Sequence, residues 1–321
     1  MAVSTQIELI PILDLDPLLA DEPGAVDDLG TQLRFALEKV GFFFVTNHGV
    51  PWTRVGDVYE QAARLHALPL AQLQQIHMDK KHGGWLELGG GTSYASDIAG
   101  DVRKPNMNKA YFVHRNGYRM GNQWPDLEGF RAIVDPYMDA VEALAHRLLP
   151  VLAASLELPH DWFLPHFDQP SCTLRMSHYP IMDYEDNEWG LAPHTDSSIF
   201  TFLPANDVPG LEIRPAGQDW IEPPPVAQSY LINSGDMLKR WTNQRFMSTA
   251  HRARNASTTD RYAMPFFFGA RDDALVEALP TCVSADRPAL HDPIAYGDYQ
   301  RWFLNRNYAQ VTGEQASEVA P

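Results

Sequence analysis

The sequence predicts a mixed α and β protein in which helices flank a closed or double-sheet β body at about residues 171–270. Three observations carry this. From Cys172 to about Phe268 the chain falls into short apolar runs, "CTLRMSHYP", "IFTFLP", "GLEIRP", "SYLINSG", "MSTAHRA" and "RYAMPFFFG", divided by Pro, Gly, Asn and Asp. That texture belongs to short strands joined by tight turns. Ahead of it, apolar residues recur at helical spacing, and after it "DPIAYGDYQRWFLNRNY" returns to a helical pattern. No internal repeat or flexible linker divides the chain. Residues 1–321 therefore read as one unit, with a mainly helical part at 1–170, the β core at 171–270 and a C-terminal segment at 271–321.

The elements follow in order. "IELIPILDLDPL" is a short strand closed by a proline, and "AVDDLGTQLRFALEKV" sets Leu29, Leu33, Ala36, Leu37 and Val40 on one helical face. Gly41 ends that helix, and "FFFVTNHGV" is a buried strand running into a turn. "WTRVGDVYEQAARLHAL" is a second helix stopped near Pro69. From about 79 to 121 the chain is rich in Gly, Asn and Lys and reads as irregular, with "AYFVH" a strand candidate inside it. Long loops in compact domains serve as lids or binding loops, so this is the expected substrate-loop region. Leu127 to Leu158 carries helical periodicity, with Pro136 and Pro150 as boundaries or kinks.

Composition bounds the function. Apolar residues make up 45% and charged residues 21% of the 321, enough for a large core without disulfide staples. The two cysteines form no C-x-x-C and no zinc spacing, and cysteine this sparse suits a reducing cytosol. A formal net charge of −16 argues against nucleic acid and anionic membrane surfaces. It leaves room for a small anionic substrate, because a few local arginines override a distant field. "MAVSTQIELIPILDLDPLLADEPG" lacks the basic start and apolar core of a signal peptide, and no run of about 18 apolar residues occurs. A soluble, cytoplasmic, acidic protein is expected.

With 12 histidines and 41 acidic residues, H-x-D/E arises by chance on the order of once in such a chain. It occurs at His77/Asp79, His166/Asp168 and His194/Asp196, so the pattern alone decides nothing. His77/Asp79 precedes two lysines in a polar segment and reads as a solvated loop. His166/Asp168 lies in a helix-to-strand connection and suits capping or turn duty. His194 and Asp196 open a strand-like run, where the period of two aims both side chains at one face. His251, in "FMSTAHRARN", offers a third ligand from another strand candidate. Two imidazoles and a carboxylate on one face of an octahedral metal suit non-haem Fe(II) and leave positions open for a cosubstrate and O₂. Zinc more often takes a closed tetrahedral set or a third histidine.

Alternation groups Arg261, Ala263, Pro265 and Phe267 on one face of "RYAMPFFF", and Arg175, Ser177 and Tyr179 on one face of "LRMSHYP". A buried arginine needs an anionic partner, and its fork suits a carboxylate. Trp85, Tyr94, Asn108 and Phe112, in the irregular segment, are candidates to face a substrate. An inward Arg175 points to an acidic group on that substrate, an amino acid or peptide-like metabolite.

These pieces in this order resemble the isopenicillin N synthase-like family of 2-oxoglutarate/Fe(II)-dependent dioxygenases. The resemblance runs from "IPILDLD" and "GFFFVTNHGV" through "LRMSHYP", "PHTD" and "GLEIRP" to "YLINSGDML", "STAHRA" and "RYAMPFF". It implies a double-stranded β-helix (jelly roll, cupin-like) as the catalytic core. It implies Fe(II) held by His194, Asp196 and His251, and 2-oxoglutarate whose distal carboxylate meets Arg261 and Tyr179 while its keto-acid end chelates the iron. Phe267 would flank the substrate, and His48 in "NHG" resembles a structural residue of the family. O₂ is the oxidant, succinate and CO₂ the coproducts, and hydroxylation, desaturation or ring formation the outcome for a small molecule. Two departures stand out. The family's arginine motif is usually Arg-x-Ser, and here it reads Arg261-Tyr262-Ala263; a water or Ser177 is the candidate to offset the missing hydroxyl. "SHYP" replaces the more frequent "NYYP". Three rivals remain open at this level: an oxidase of the isopenicillin N synthase type that uses no 2-oxoglutarate, a zinc hydrolase, and a non-catalytic cupin-like module that binds a carboxylate.

Overall fold

The computed structural model describes residues 10–96, 98, 104–115, 121–314, 317 and 320–321. Residues 7–9 of the expected first strand, and residues 97, 99–103 and 116–120 of the expected substrate-loop region, lie outside these.

The N-terminal part begins with β1 (Ile12–Asp14), α1 (Asp16–Leu19), α2 (Ala25–Lys39), β2 (Phe42–Thr46) and α3 (Trp52–His66). The face predicted for α2 is the buried one, with Leu29, Leu33, Ala36 and Leu37 in the core. Gly41 turns the chain with φ 74°, and a β carbon there would collide with Thr249. Beyond the stop near Pro69 the chain starts a further short helix, α4 (Leu70–Gln75), and the irregular region holds two strands, β3 (Gly84–Leu86) and β4 (Lys109–Arg115).

The long helix α5 (Phe130–Ser155) runs on through Pro136 and Pro150, where the sequence suggested boundaries or kinks. An internal proline costs about 3 kcal/mol. Against this, α5 buries Val134, Tyr137, Val141, Leu144, Leu148 and Leu152, each contributing about 1.5–3 kcal/mol. Packing outweighs the local penalty.

The β core comprises β5 (Ser171–Tyr179), β6 (Leu191–His194), β7 (Phe200–Pro204), β8 (Leu211–Arg214), β9 (Tyr230–Ser234), β10 (Ala250–Ala253), β11 (Arg261–Ala263) and β12 (Phe266–Gly269). Between β9 and β10 lies α6 (Asp236–Trp241), and α7 (Tyr296–Thr312) follows the core. The larger sheet has the order β1-β2-β9-β7-β12-β5-β4-β3 with β11 also paired to β5; the smaller is β6-β10-β8. Apart from β1 with β2, these pairs are antiparallel. This is the predicted class, mixed α and β with a double-stranded β-helix core.

Register gives the large sheet two chemically distinct faces. Phe43, Tyr111, Leu174, Phe202, Ile232 and Phe266 share the face that joins the helices in one apolar core. The opposite parity, including Phe112, Arg175, Ser177, Thr201, Asn233 and Phe267, lines a cavity shared with the small sheet. β11 and β12 are interrupted at Pro265, which cannot donate to the ladder. Their register against β5 nevertheless continues, with Arg261 opposite Tyr179 and Phe267 opposite Thr173. Cys172 and Cys282 are both buried. Among the described residues no helix is long and apolar enough to cross a membrane.

Candidate metal centre and pocket

His194 closes β6 and His251 lies directly across from it on β10, so the small sheet presents two imidazoles side by side, ring centroids 4.2 Å apart. Asp196 follows two residues after His194. Its Oδ1 lies 3.7 Å from His194 Nε2 and 3.6 Å from His251 Nε2, and one ligand atom from each of the three falls within 4.8 Å of the others. The remaining ring nitrogens are already committed. His194 Nδ1 donates to the Ala192 carbonyl at 2.9 Å and His251 Nδ1 to that of Thr249 at 3.2 Å. That fixes both tautomers with the Nε2 lone pairs converging on one point, as metal-binding imidazoles require.

The carboxylate is oriented in the same way. Thr201 Oγ1 donates to Asp196 Oδ2 at 2.6 Å and Asn233 Nδ2 donates to it at 2.8 Å, leaving Oδ1 for the point the imidazoles share. Burial, then the nearby His251, push His194 down to about 3, so it is neutral and able to ligate. Burial alone would raise the Asp196 carboxyl, but His251, His194 and Asn233 hold it well below the usual carboxylate range. His251 is displaced upward: burial opposes this, and the Asp196 charge prevails. Two neutral-capable imidazoles and one fixed carboxylate suit a divalent ion with open positions.

Arg261, 3% exposed, lines the same cavity. Its Nε donates to the Val208 carbonyl at 3.3 Å and its guanidinium lies over the Tyr179 ring at 5.0 Å, but Nη1 is buried with no hydrogen-bond partner. No carboxylate among the described residues pairs with it. The surroundings are apolar, with Tyr179, Ala253 and Ala263 packed beside Leu191 and Leu203. A buried cation with an idle donor is a seat for an anion.

Arg175 is a second such cation in the cavity, and its charge helps to hold His194 neutral. It is 7% exposed, lies over the Phe112 ring at 5.4 Å, and donates through Nη2 to Asn108 Oδ1 at 2.7 Å, while its Nε has no partner. Asn108 itself stands behind Arg175, its amide nitrogen donating to the Gly190 carbonyl; it holds the guanidinium and does not line the cavity. Phe112 and Phe267 do line it. Tyr94 is half-buried and outside the lining, and Trp85 packs in the helix-facing core because it pairs with Tyr111 on that parity.

Several lining residues went unassigned in the sequence. On α7, Tyr296, Gln300, Leu304 and Tyr308 form one stripe along the cavity, legible in hindsight as i, i+4 spacing. Gln300 exchanges two hydrogen bonds with Ser197, beside Asp196. Asn307 accepts from Thr92 and from the Ala95 N–H, tying the loop before residue 97 to that helix. Thr201 and Asn233 also had a signal, each being a polar residue within an apolar strand run.

The rival histidines are placed elsewhere. His77 is half-buried, edge-on to Trp85 and 3.9 Å from Glu87. His166 belongs to a 3₁₀ turn and packs its ring against Trp162 and Trp241. His48 hydrogen-bonds the Gln228 carbonyl and accepts from the Val50 N–H, which ties the turn after β2.

Known proteins share both the sequence pattern and the fold. The family model described as 2OG-Fe(II) oxygenase superfamily matches residues 170–270, and that described as non-haem dioxygenase in morphine synthesis N-terminal matches residues 10–127. The 2-oxoglutarate-Fe(II) type oxidoreductase hxnY of Emericella nidulans is 31% identical, over 94% of this chain and 91% of its own length. Homoarginine-6-hydroxylase 2-ODD-C23 of Glycine max is 30% identical, over 87% of this chain and 91% of its own. A full-length Neurospora crassa protein, solved in complex with alpha-KG and thymine, superposes with a TM-score of 0.81 at 21% identity, covering 92% of this chain and 96% of that one. At that identity the structural likeness speaks for the fold.

Proposed function

This chain belongs to the 2OG-Fe(II) oxygenase superfamily, and from that premise we propose that it oxidises a small, acid-bearing metabolite in the cavity between its two sheets. It is a 2-oxoglutarate/Fe(II) oxygenase, and its cofactors are Fe(II) and 2-oxoglutarate, with O₂ as oxidant. Membership sets aside the hydrolase and the non-catalytic module. Under this reading residues 1–321 act as one catalytic unit in the cytoplasm.

His194, Asp196 and His251 hold the iron, and Arg261 with Tyr179 seats the distal carboxylate of 2-oxoglutarate. The bound pair of iron and 2-oxoglutarate supplies O₂ activation, with succinate and CO₂ as coproducts. The protein's own part is placement. Thr201 and Asn233 keep Asp196 Oδ1 turned to the metal, and the Ala192 and Thr249 carbonyls keep both imidazoles in the ligating tautomer. Arg261, desolvated against Val208 and Tyr179, gives its idle Nη1 to the cosubstrate. Arg175, braced by Asn108, meets an acidic group on the substrate, whose apolar body lies against Phe112, Phe267 and Tyr308. The α7 stripe and the loop at 91–96 close this side and exclude water. A relative named for hydroxylating homoarginine is in keeping with a small-molecule substrate, and hydroxylation is the reaction proposed.

The observation that carries the reading is the convergence of two imidazoles and a fixed carboxylate in a cavity that also holds a buried guanidinium with an idle Nη1. The test is anaerobic Fe(II) reconstitution followed by 2-oxoglutarate. A weak visible charge-transfer band that decays on exposure to O₂ with succinate release is expected. Iron binding without that band would refute the cosubstrate role given to Arg261.

A further inference from the structure

We propose that Ser177 supplies, from the facing strand, the hydroxyl missing at Ala263, so that one serine on β5 completes the seat for the cosubstrate's distal carboxylate. This rests on the role given to Arg261 above and adds a residue to it. The position that follows Arg261 by two is Ala263, whose methyl group donates nothing. Directly across from Ala263 in the β11–β5 ladder is Ser177, just as Tyr179 is across from Arg261. Opposed residues of an antiparallel pair share a face and hold their β carbons about 4.5–5.5 Å apart. A hydroxyl moved from one to the other therefore stays within reach of the same bound group.

The surroundings of Ser177 leave its hydroxyl one direction to serve. It is 1% exposed, and its Oγ is buried without a hydrogen-bond partner. Its neighbour across β4 is Ala110 and its neighbour across β11 is Ala263, and neither side chain can accept a proton. The inward parity of β5 turns the side chain toward the cavity, between Arg175 and Tyr179. A buried hydroxyl with alanine on both flanks is satisfied when a ligand oxygen enters, and the register that sets Ser177 against Ala263 places it one pair along the ladder from Arg261.

The experiment measures anaerobic binding of 2-oxoglutarate to the Fe(II)-loaded protein by calorimetry, alongside 2-oxobutyrate, which has the keto-acid end but no distal carboxylate. Ser177→Ala is expected to weaken 2-oxoglutarate about ten- to a hundredfold, with 2-oxobutyrate and Fe(II) affinities unchanged. Adding Ala263→Ser to that variant should restore most of the loss. Ser177→Cys, which keeps the volume but donates weakly, should behave like Ser177→Ala and serves if the alanine variant does not fold. Wild-type affinity in Ser177→Ala, an equal loss for 2-oxobutyrate, or no recovery with Ala263→Ser would overturn the proposal. Arg261→Gln separates the two levels. If it binds 2-oxoglutarate as the wild type does, the reading of Arg261 falls; if it loses binding while Ser177→Ala does not, only the serine falls.

Discussion

Asp196 is the single anionic member of the metal set, and its aim depends on two donors at Oδ2. Asn233→Leu removes one of them, the 2.8 Å bond, while keeping the number and branching of side-chain heavy atoms, and leaves the 2.6 Å bond from Thr201. A hydrogen bond to a charged group contributes about 1.5–3 kcal/mol. Loss of an outer partner of a metal ligand lowers affinity about 10–100-fold, equivalent to about 1.4–2.7 kcal/mol. The two ranges agree because the loss acts through one carboxylate, so Fe(II) affinity should fall by that factor. Thr201→Val with Asn233→Leu should cost more than the two singles combined, since Thr201 and Asn233 are opposed across β7 and β9 and share one oxygen. Oδ2 would then face apolar strand interior and turn toward the metal point. Affinity is read by anaerobic competition with a chelator, with Mn(II) as a redox-silent check and thermal melting to verify the fold. A folded Asn233→Leu protein that binds Fe(II) within about twofold of the wild type would refute the reasoning.

Three further outcomes are expected. His194→Ala should abolish stoichiometric iron by metal analysis while His77→Ala retains it; equal iron in both would sink the ligand assignment. Arg175→Leu should leave 2-oxoglutarate affinity in place but abolish stimulation of succinate release by small carboxylic acids, while responses to the matching amides stay unaltered; unchanged stimulation by the acids would count against an acid-bearing substrate. His66 is pushed down to about 3 by burial, a larger effect than its hydrogen bond to the Met176 carbonyl. Its folded pKa lies below the unfolded value, so the unfolded chain binds more protons between the two. Stability therefore falls as pH drops from about 6.5, by about 2 kcal/mol at pH 5. His66→Gln should show a smaller stability difference between pH 7 and pH 5 by about that amount in urea unfolding, and an equal difference would refute the role of His66.

Strand alternation made one side of the cavity wall legible, because a period of two needs no knowledge of tertiary structure. It grouped Arg175, Ser177 and Tyr179 on β5, and Arg261, Ala263 and Phe267 on the strands beside it, even across the break at Pro265. What it could not give was the identity of neighbours. That Ala263 faces Ser177 depends on register between strands far apart in sequence. That Thr201 and Asn233 meet at one oxygen depends on the order β9-β7 in the sheet. α7 was legible as a helix but not as a wall, since periodicity names a face without naming what it covers. Within 79–121 local composition suggested a loop around the strand candidate "AYFVH"; that candidate is β4, paired with β5, and β3, unmarked in the sequence, pairs with β4 in turn. The continuity of α5 through two prolines is the same lesson, with burial deciding against a local rule.

Under the proposed reading the two buried arginines serve different anions, and the sheet separates their anchor points. Arg261 stacks on its register partner Tyr179, and Arg175 stacks on its register partner Phe112. Each guanidinium is thus held over the residue directly across from it. Tyr179 and Arg175 lie four residues apart on β5, about 13 Å along the strand. Anchor points that far apart suit two separate carboxylates. With the distal carboxylate of 2-oxoglutarate at Arg261, the cosubstrate leaves Arg175 unsatisfied, its Nε buried without a partner. A substrate lacking an acid would keep it so, at about 1–3 kcal/mol, and more for a charge sealed from water when the cavity fills. A carboxylate removes that penalty. In a chain of net charge −16, which would otherwise repel such a molecule, the proposed selection for an acid rests on this buried cation.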